Sequence, residues 1–225
     1  MTTFPFQIVG FDLDGTLLDT SGDLGVALNH ALATVGRPAV SVEQTRDLIG
    51  GGAKRMLERA LALTGGADGI DVDALHRLLV EHYRHHIAVL TQPYPGAAQM
   101  LDDLASRGAR LAIATNKLEE LAVKLLGELG LAPRFFTILG GDTLGPGRAK
   151  PRPDMLHEMV GRAGLGSRAR AAFVGDTSYD TLAARAAALP CIAVSFGFND
   201  RPPHELGADA VIDHYDQLVP TLEAL

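Results

Sequence analysis

The sequence predicts an α/β protein: a parallel sheet covered by helices on both faces, interrupted once by an inserted helical unit. Three observations carry this. Short apolar, β-branched runs recur along the 225 residues and mostly alternate with helical patterns, the signature of βαβ units. No strand pattern occurs between Thr20 and Tyr94. Acidic, hydroxyl and basic residues fall at the ends of the apolar runs, where parallel sheets place ligands.

The elements follow in order. Ile8 to Phe11 reads as a buried strand, and Asp12 and Asp14 come directly after it in FDLDGTLLDT. Side chains alternate along a strand, so two carboxylates acting together there require a turn, which Gly15 permits. Leu24, Ala27, Leu28, Ala31, Leu32 and Val35 repeat at helical spacing, and Gly36 with Pro38 ends that helix. Ser41 with Gln44 is a capping box for a second, short helix. Ala53 to Thr64 and Val72 to Val89 read as two more, divided by Gly65-Gly66 and Asp68-Gly69. About 70 residues is far longer than an ordinary βα connection. The expected division is therefore a core of residues 1–18 and 94–225 with a helical domain of 19–93. The junctions are Leu18 to Ser21 and Thr91 to Pro95, and Leu17 to Thr20 is the expected hinge. The remaining strands are Leu111 to Thr115, Phe135 to Leu139, Ala171 to Val174, Ile192 to Ser195 and Ala210 to Ile212.

Composition narrows the function. The chain is 47% hydrophobic and 21% charged, as in ordinary globular proteins. No apolar run reaches membrane-spanning length, so no membrane partner is expected. The N-terminal MTTFPFQIVG lacks Lys and Arg and runs straight into a strand, unlike a signal peptide. Cys191 is the only cysteine. It fits a reducing cytoplasm and a buried structural role. A net charge of −7 without a basic cluster argues against nucleic acid. An anionic substrate would need local help from a metal ion and placed cations.

The chemistry lies at the strand ends. Thr115 and Asn116 close one strand in LAIATNK, Lys150 sits in GRAKPRPD, and Asp176 and Asp180 follow another strand in FVGDTSYD. Carboxylates brought that close require compensating cations. Oxygen-only donors select a hard ion such as Mg²⁺. Lys150 offers a compact charge to an oxyanion, and Thr115 offers a hydroxyl. Backbone amides after Asp12 and Thr115 can cradle phosphate oxygens. His82 and His86 stand one helical turn apart in HYRHH, but with no third ligand in view they read as a solvated helix face.

These stretches together resemble the haloacid dehalogenase superfamily: FDLDGT at 11–16, ATN at 114–116, AKP at 149–151 and VGDTSYD at 174–180. The likeness spans nearly the whole chain. It implies a Rossmann-like core with a small α-helical cap between the first and second motifs. TNK at 115–117, YPG at 94–96, GGDTL at 140–144 and SFGFND at 195–200 resemble the phosphoglycolate phosphatase branch most. The resemblance implies Asp12 as nucleophile, Asp14 as acid and base, and Thr115 and Lys150 on the phosphoryl group. It implies Mg²⁺ held by Asp12, the Asp14 carbonyl and Asp176, with Asp180 helping directly or through water. Asn116, Gly51, Lys54 and Arg55 would bind substrate, the last three from IGGGAKRMLERAL at 49–61. The expected reaction is hydrolysis of a small phosphomonoester, foremost 2-phosphoglycolate. Alternatives are a sugar-phosphate mutase such as β-phosphoglucomutase, or a pyrophosphatase or nucleotidase. A haloacid dehalogenase would not need the intact GDxxxD, and a phospho-acceptor module would be shorter and lack the insertion. The sequence leaves monomer and homodimer equally open.

Overall fold

The apolar runs form one six-stranded sheet. The computed structural model describes residues 4–166 and 169–225; residues 1–3 and 167–168 of the predicted core segments lie outside it. In chain order the elements begin with β1 (Ile8–Phe11), β2 (Leu18–Asp19), α1 (Ser21–Thr34), α2 (Val42–Leu48), α3 (Ala53–Thr64) and α4 (Val72–His85). Then come β3 (Gln92–Pro93), α5 (Ala97–Ser106), β4 (Arg110–Ala114), α6 (Glu119–Glu128), β5 (Phe135–Leu139) and α7 (Asp154–Ala163). The chain continues with β6 (Ala171–Gly175), α8 (Ser178–Ala186), β7 (Cys191–Val194), β8 (Ala210–Ile212) and α9 (Leu218–Ala224).

The sheet order is β5-β4-β1-β6-β7-β8, parallel throughout. Strand β1 is central and buried along its whole length, as expected of a strand covered on both faces. Phe11, Val174 and Ile192 pack into one apolar layer, and Ile8, Phe173 and Met159 into the other. This topology brings the carboxyl ends of β1, β4 and β6 side by side.

Helices α1 to α4 fall between β1 and the next strand of the main sheet, and pack on one another. The predicted capping box holds: Ser41 Oγ accepts from Gln44 N, and Gln44 Oε1 accepts from Ser41 N. Helix α4 is shorter than its apolar pattern suggested and ends at His85 rather than Val89. The physical reason is Asp23. This buried carboxylate accepts from the amides of Leu90 and Thr91 and from the Thr91 hydroxyl at 2.7–3.0 Å. Val89 is left 69% exposed.

A second feature carried no sequence signal. The two connections to the helical segment pair as a two-stranded antiparallel ribbon, Leu18 opposite Pro93 and Asp19 opposite Gln92. Two-residue strands are too short for any periodicity. Arg46 of α2 braces the ribbon by donating to Asp19 Oδ2 at 2.7 Å and to the Phe196 carbonyl at 3.2 Å.

Candidate active site

The polar residues at the strand ends converge on one place. Asp12 follows β1, Thr115 follows β4, and Asp176 follows β6. Gly15 makes the turn after Asp14 with φ +83°, and a Cβ there would lie 2.2 Å from Asp176 Oδ2. Only glycine meets both demands. Lys150 arrives from the long connection between β5 and α7.

Three carboxylates, Asp12, Asp176 and Asp180, offer oxygen atoms within 4.8 Å of one another. One ammonium stands among them: Lys150 Nζ is 2.6 Å from Asp180 Oδ1 and 3.0 Å from Asp12 Oδ1. The first contact is a directed hydrogen bond. The second is an ion pair whose alignment is too poor for one, so Asp12 Oδ1 is buried without a hydrogen-bond partner. Asp176 accepts from Thr16 Oγ1 at 2.9 Å and from the Phe198 amide at 2.7 Å. Asp180 Oδ2 accepts from Thr177 Oγ1 and from the amides of Thr177 and Asp176, which fixes the start of α8.

The electrostatics follow from this crowding. Burial pushes Asp12 up from 3.8 to about 6, with Lys150 opposing and Asp180 adding to the rise. Burial also drives Asp176 well above the ordinary carboxylate range, and Asp180 and Asp12 push the same way. Burial works against the Lys150 charge, but Asp12 and Asp180 outweigh it and the net direction is up. The cluster therefore lacks positive charge. A hard cation with oxygen ligands fits that deficit and the Asp12 oxygen that lacks a hydrogen bond.

Asp14 has a different environment. Lys117 Nζ donates to both its carboxylate oxygens at 2.9 Å. The Lys117 side chain is 4% exposed, and its ammonium lies 4.6 Å from the Tyr83 ring centroid, a cation–π contact from α4. Burial disfavours the Lys117 charge, but Asp14 and Tyr83 reverse the net direction. Within TNK the sequence alone assigns Lys117 no role. Its nearness to a strand end was the available signal, but its partner lies 103 residues away.

Above this floor is a cavity of about 380 Å³, lined from below by Asp12, Asp14 and Asp176 and from above by Gly51, Arg55 and Tyr83. Arg55 Nη1 donates to the Tyr179 hydroxyl at 2.5 Å. Lys54 also borders the cavity, but its ammonium pairs with Asp73 at 2.6 Å on the exposed surface. Asn116 Nδ2 donates to the Lys150 carbonyl at 3.0 Å, tying two motif loops together, and its Oδ1 is buried without a partner. Thr115 Oγ1 accepts from the Lys117 amide at 3.3 Å. His82 and His86 do gain a third neighbour: His30 stacks on His82 at 4.1 Å between centroids, and His82 on His86 at 4.4 Å. Their nitrogen atoms do not converge as ligands; among the described residues only Asp12, Asp176 and Asp180 form such a group. No helix among the described residues is long and apolar enough to cross a membrane.

The chain is similar to known proteins along nearly its whole length. The family model for haloacid dehalogenase-like hydrolases matches residues 9–194. A phosphoglycolate phosphatase of Agrobacterium fabrum is 42% identical over 226 residues, 99% of this chain and 95% of its own. That of Caulobacter vibrioides is 39% identical over 209 residues, covering 92% and 86%. Among solved structures, a predicted phosphoglycolate phosphatase from Haemophilus somnus superposes with a TM-score of 0.88 at 27% identity, covering 96% and 98%.

Proposed function

We propose, from the premise that this chain belongs to the haloacid dehalogenase-like hydrolases and is a phosphoric monoester hydrolase, that its substrate is 2-phosphoglycolate. Hydrolysis runs through an aspartyl-phosphate on Asp12, with Mg²⁺ as the cation. One observation carries the reading: a charge-deficient carboxylate floor, in which Asp12 Oδ1 has an ion pair to Lys150 but no hydrogen bond, lies beneath a cavity roofed by Arg55.

Asp12, Asp176 and the main-chain carbonyl of Asp14 would hold the cation, and Asp180 supports them by fixing α8 and Lys150. Bound there, the ion would offset the clustered carboxylates and the charge on the phosphoryl oxygens. Lys150 and the Thr115 hydroxyl orient the phosphoryl group. Asp12 attacks phosphorus in line; the bond to the glycolate oxygen breaks and Asp14 delivers its proton to that oxygen. Asp14 then takes a proton from water as the water oxygen attacks the acyl phosphate. The phosphorus–Asp12 bond breaks, and inorganic phosphate and the free carboxylate result. Lys117 compensates the charge that Asp14 carries as base. For acid duty in the first step one Asp14 oxygen carries the proton while the other still accepts from Lys117.

Arg55 meets the substrate carboxylate at the cavity mouth, with Gly51 admitting close approach. Lys54 borders the same cavity with its ammonium held by Asp73. Residues 19–93 act as the cap, moving about the Leu17 to Thr20 hinge. We assign the enzyme to the cytoplasm, where the buried thiol of Cys191 stays reduced.

A panel of phosphomonoesters assayed with Mg²⁺ and with EDTA tests this. The expected result is metal-dependent phosphate release, fastest per KM on 2-phosphoglycolate, and none from Asp12→Ala. Undiminished turnover in EDTA, or from Asp12→Ala, refutes the mechanism. Equal rates on all esters refute the substrate.

A further inference from the structure

Tyr179 has no place in the mechanism above, yet it joins the roof of the site to its floor by a hydrogen bond from Arg55. It stands in the first turn of α8, three residues after Asp176. That turn is pinned twice: Thr177 by Asp180, and Ser178 by Asp200, which accepts from both its amide and its hydroxyl. Tyr179 is thus a fixed post beside the carboxylate cluster.

The roof is fitted to that post. Gly50, Gly51 and Gly52 all have positive φ, 118°, 75° and 95°. A Cβ on Gly51 would lie 2.8 Å from the Tyr179 hydroxyl and 2.9 Å from Arg55 Cδ. The missing side chain is what lets the loop close over the Arg55–Tyr179 pair. The Arg55 guanidinium lies 5.9 Å from the ring centroid, and the hydroxyl is its one polar side-chain partner among the described residues. A neutral hydroxyl orients a guanidinium without cancelling its charge. The cations near it differ: Lys54 is paired with Asp73, Lys117 with Asp14, and Lys150 with Asp12 and Asp180.

We infer that Tyr179 is a positioning residue for substrate selection: it holds Arg55 in register with the phosphoryl floor, so that the enzyme prefers esters whose leaving group carries a carboxylate. This rests on the reading of Arg55 as the carboxylate partner. A hydroxyl that fixes a charged donor adds about fivefold to binding, and only for substrates that use the donor.

The test compares 2-phosphoglycolate with ethyl phosphate, a similar chain without the carboxylate, on the Mg²⁺-loaded full-length enzyme. Tyr179→Phe keeps the ring and its packing. It is expected to raise KM for 2-phosphoglycolate about fivefold while leaving kcat, and both constants for ethyl phosphate, unchanged. Arg55→Gln is expected to give the same selective loss, and Tyr179→Phe to add nothing in that background. If Arg55→Gln affects both esters alike, the carboxylate reading fails, and this inference with it. If Arg55→Gln is selective but Tyr179→Phe is not, the inference alone is overturned. A fall in kcat on both esters in Tyr179→Phe, or independent multiplicative effects of the two substitutions, also overturns it.

Discussion

Replacing Asp12 with asparagine should stabilise the metal-free protein while abolishing catalysis. The side chain keeps its shape and loses its charge. In the metal-free fold its carboxyl stands at about 6 against 3.8, chiefly through burial, with Lys150 only partly offsetting this. The sign follows from proton linkage. A raised carboxyl binds its proton more tightly folded than unfolded, so stability falls as pH rises from about 4 to about 6. Above that window the ionised Asp12 costs about 3 kcal/mol, because each tenfold change in proton affinity is 1.36 kcal/mol. Urea unfolding in EDTA at pH 7 should therefore show Asp12→Asn more stable by up to about 3 kcal/mol. That corresponds to roughly 6–12 °C in Tm for a chain of this size. The gain should shrink toward zero as pH falls below about 4, where the wild-type carboxyl becomes protonated in both the folded and the unfolded state. Mg²⁺ should stabilise the wild type more than the variant, since the variant lacks one ligand charge. A variant that is no more stable at pH 7, or a gain that does not change with pH, refutes the charge-deficit account of the floor.

Two further predictions test the supports of the site. Lys117→Met should destabilise the metal-free protein by about 2–4 kcal/mol in urea, because it strands the Asp14 carboxylate. Adding Asp14→Asn should recover part of that loss, and two additive losses would show that the pair does not couple. Asp23→Ala leaves the Leu90 and Thr91 amides and the Thr91 hydroxyl without their acceptor. It should cost about 2–4 kcal/mol and speed hydrogen exchange at Leu90 and Thr91; unchanged exchange there would remove Asp23 from the junction.

Much of the site was legible because one rule does most of the placing. In a parallel sheet every strand delivers its carboxyl end to the same edge, so Asp12, Thr115 and Asp176 converge once their strands are recognised. Apolar periodicity likewise marked the four inserted helices, since it records which face is buried. It does not record what stops a helix. The pattern ran on to Val89, while Asp23, 67 residues before Leu90, ends the regular turns at His85.

What the sequence by itself determined is the set of chemical groups and the sheet edge that gathers them: carboxylates after β1 and β6, Thr115 after β4, Lys150 in its loop. Composition and local spacing suffice for that, because they depend on neighbours within a few residues. Only the tertiary structure decided which charge each group meets. Lys117 joins Asp14, Lys54 turns outward to Asp73, and Arg55 settles on Tyr179, 124 residues away. An ammonium or guanidinium looks the same in any sequence. Its role is set by the partner that the fold brings within a few ångströms, where Coulomb attraction is strong and water is excluded.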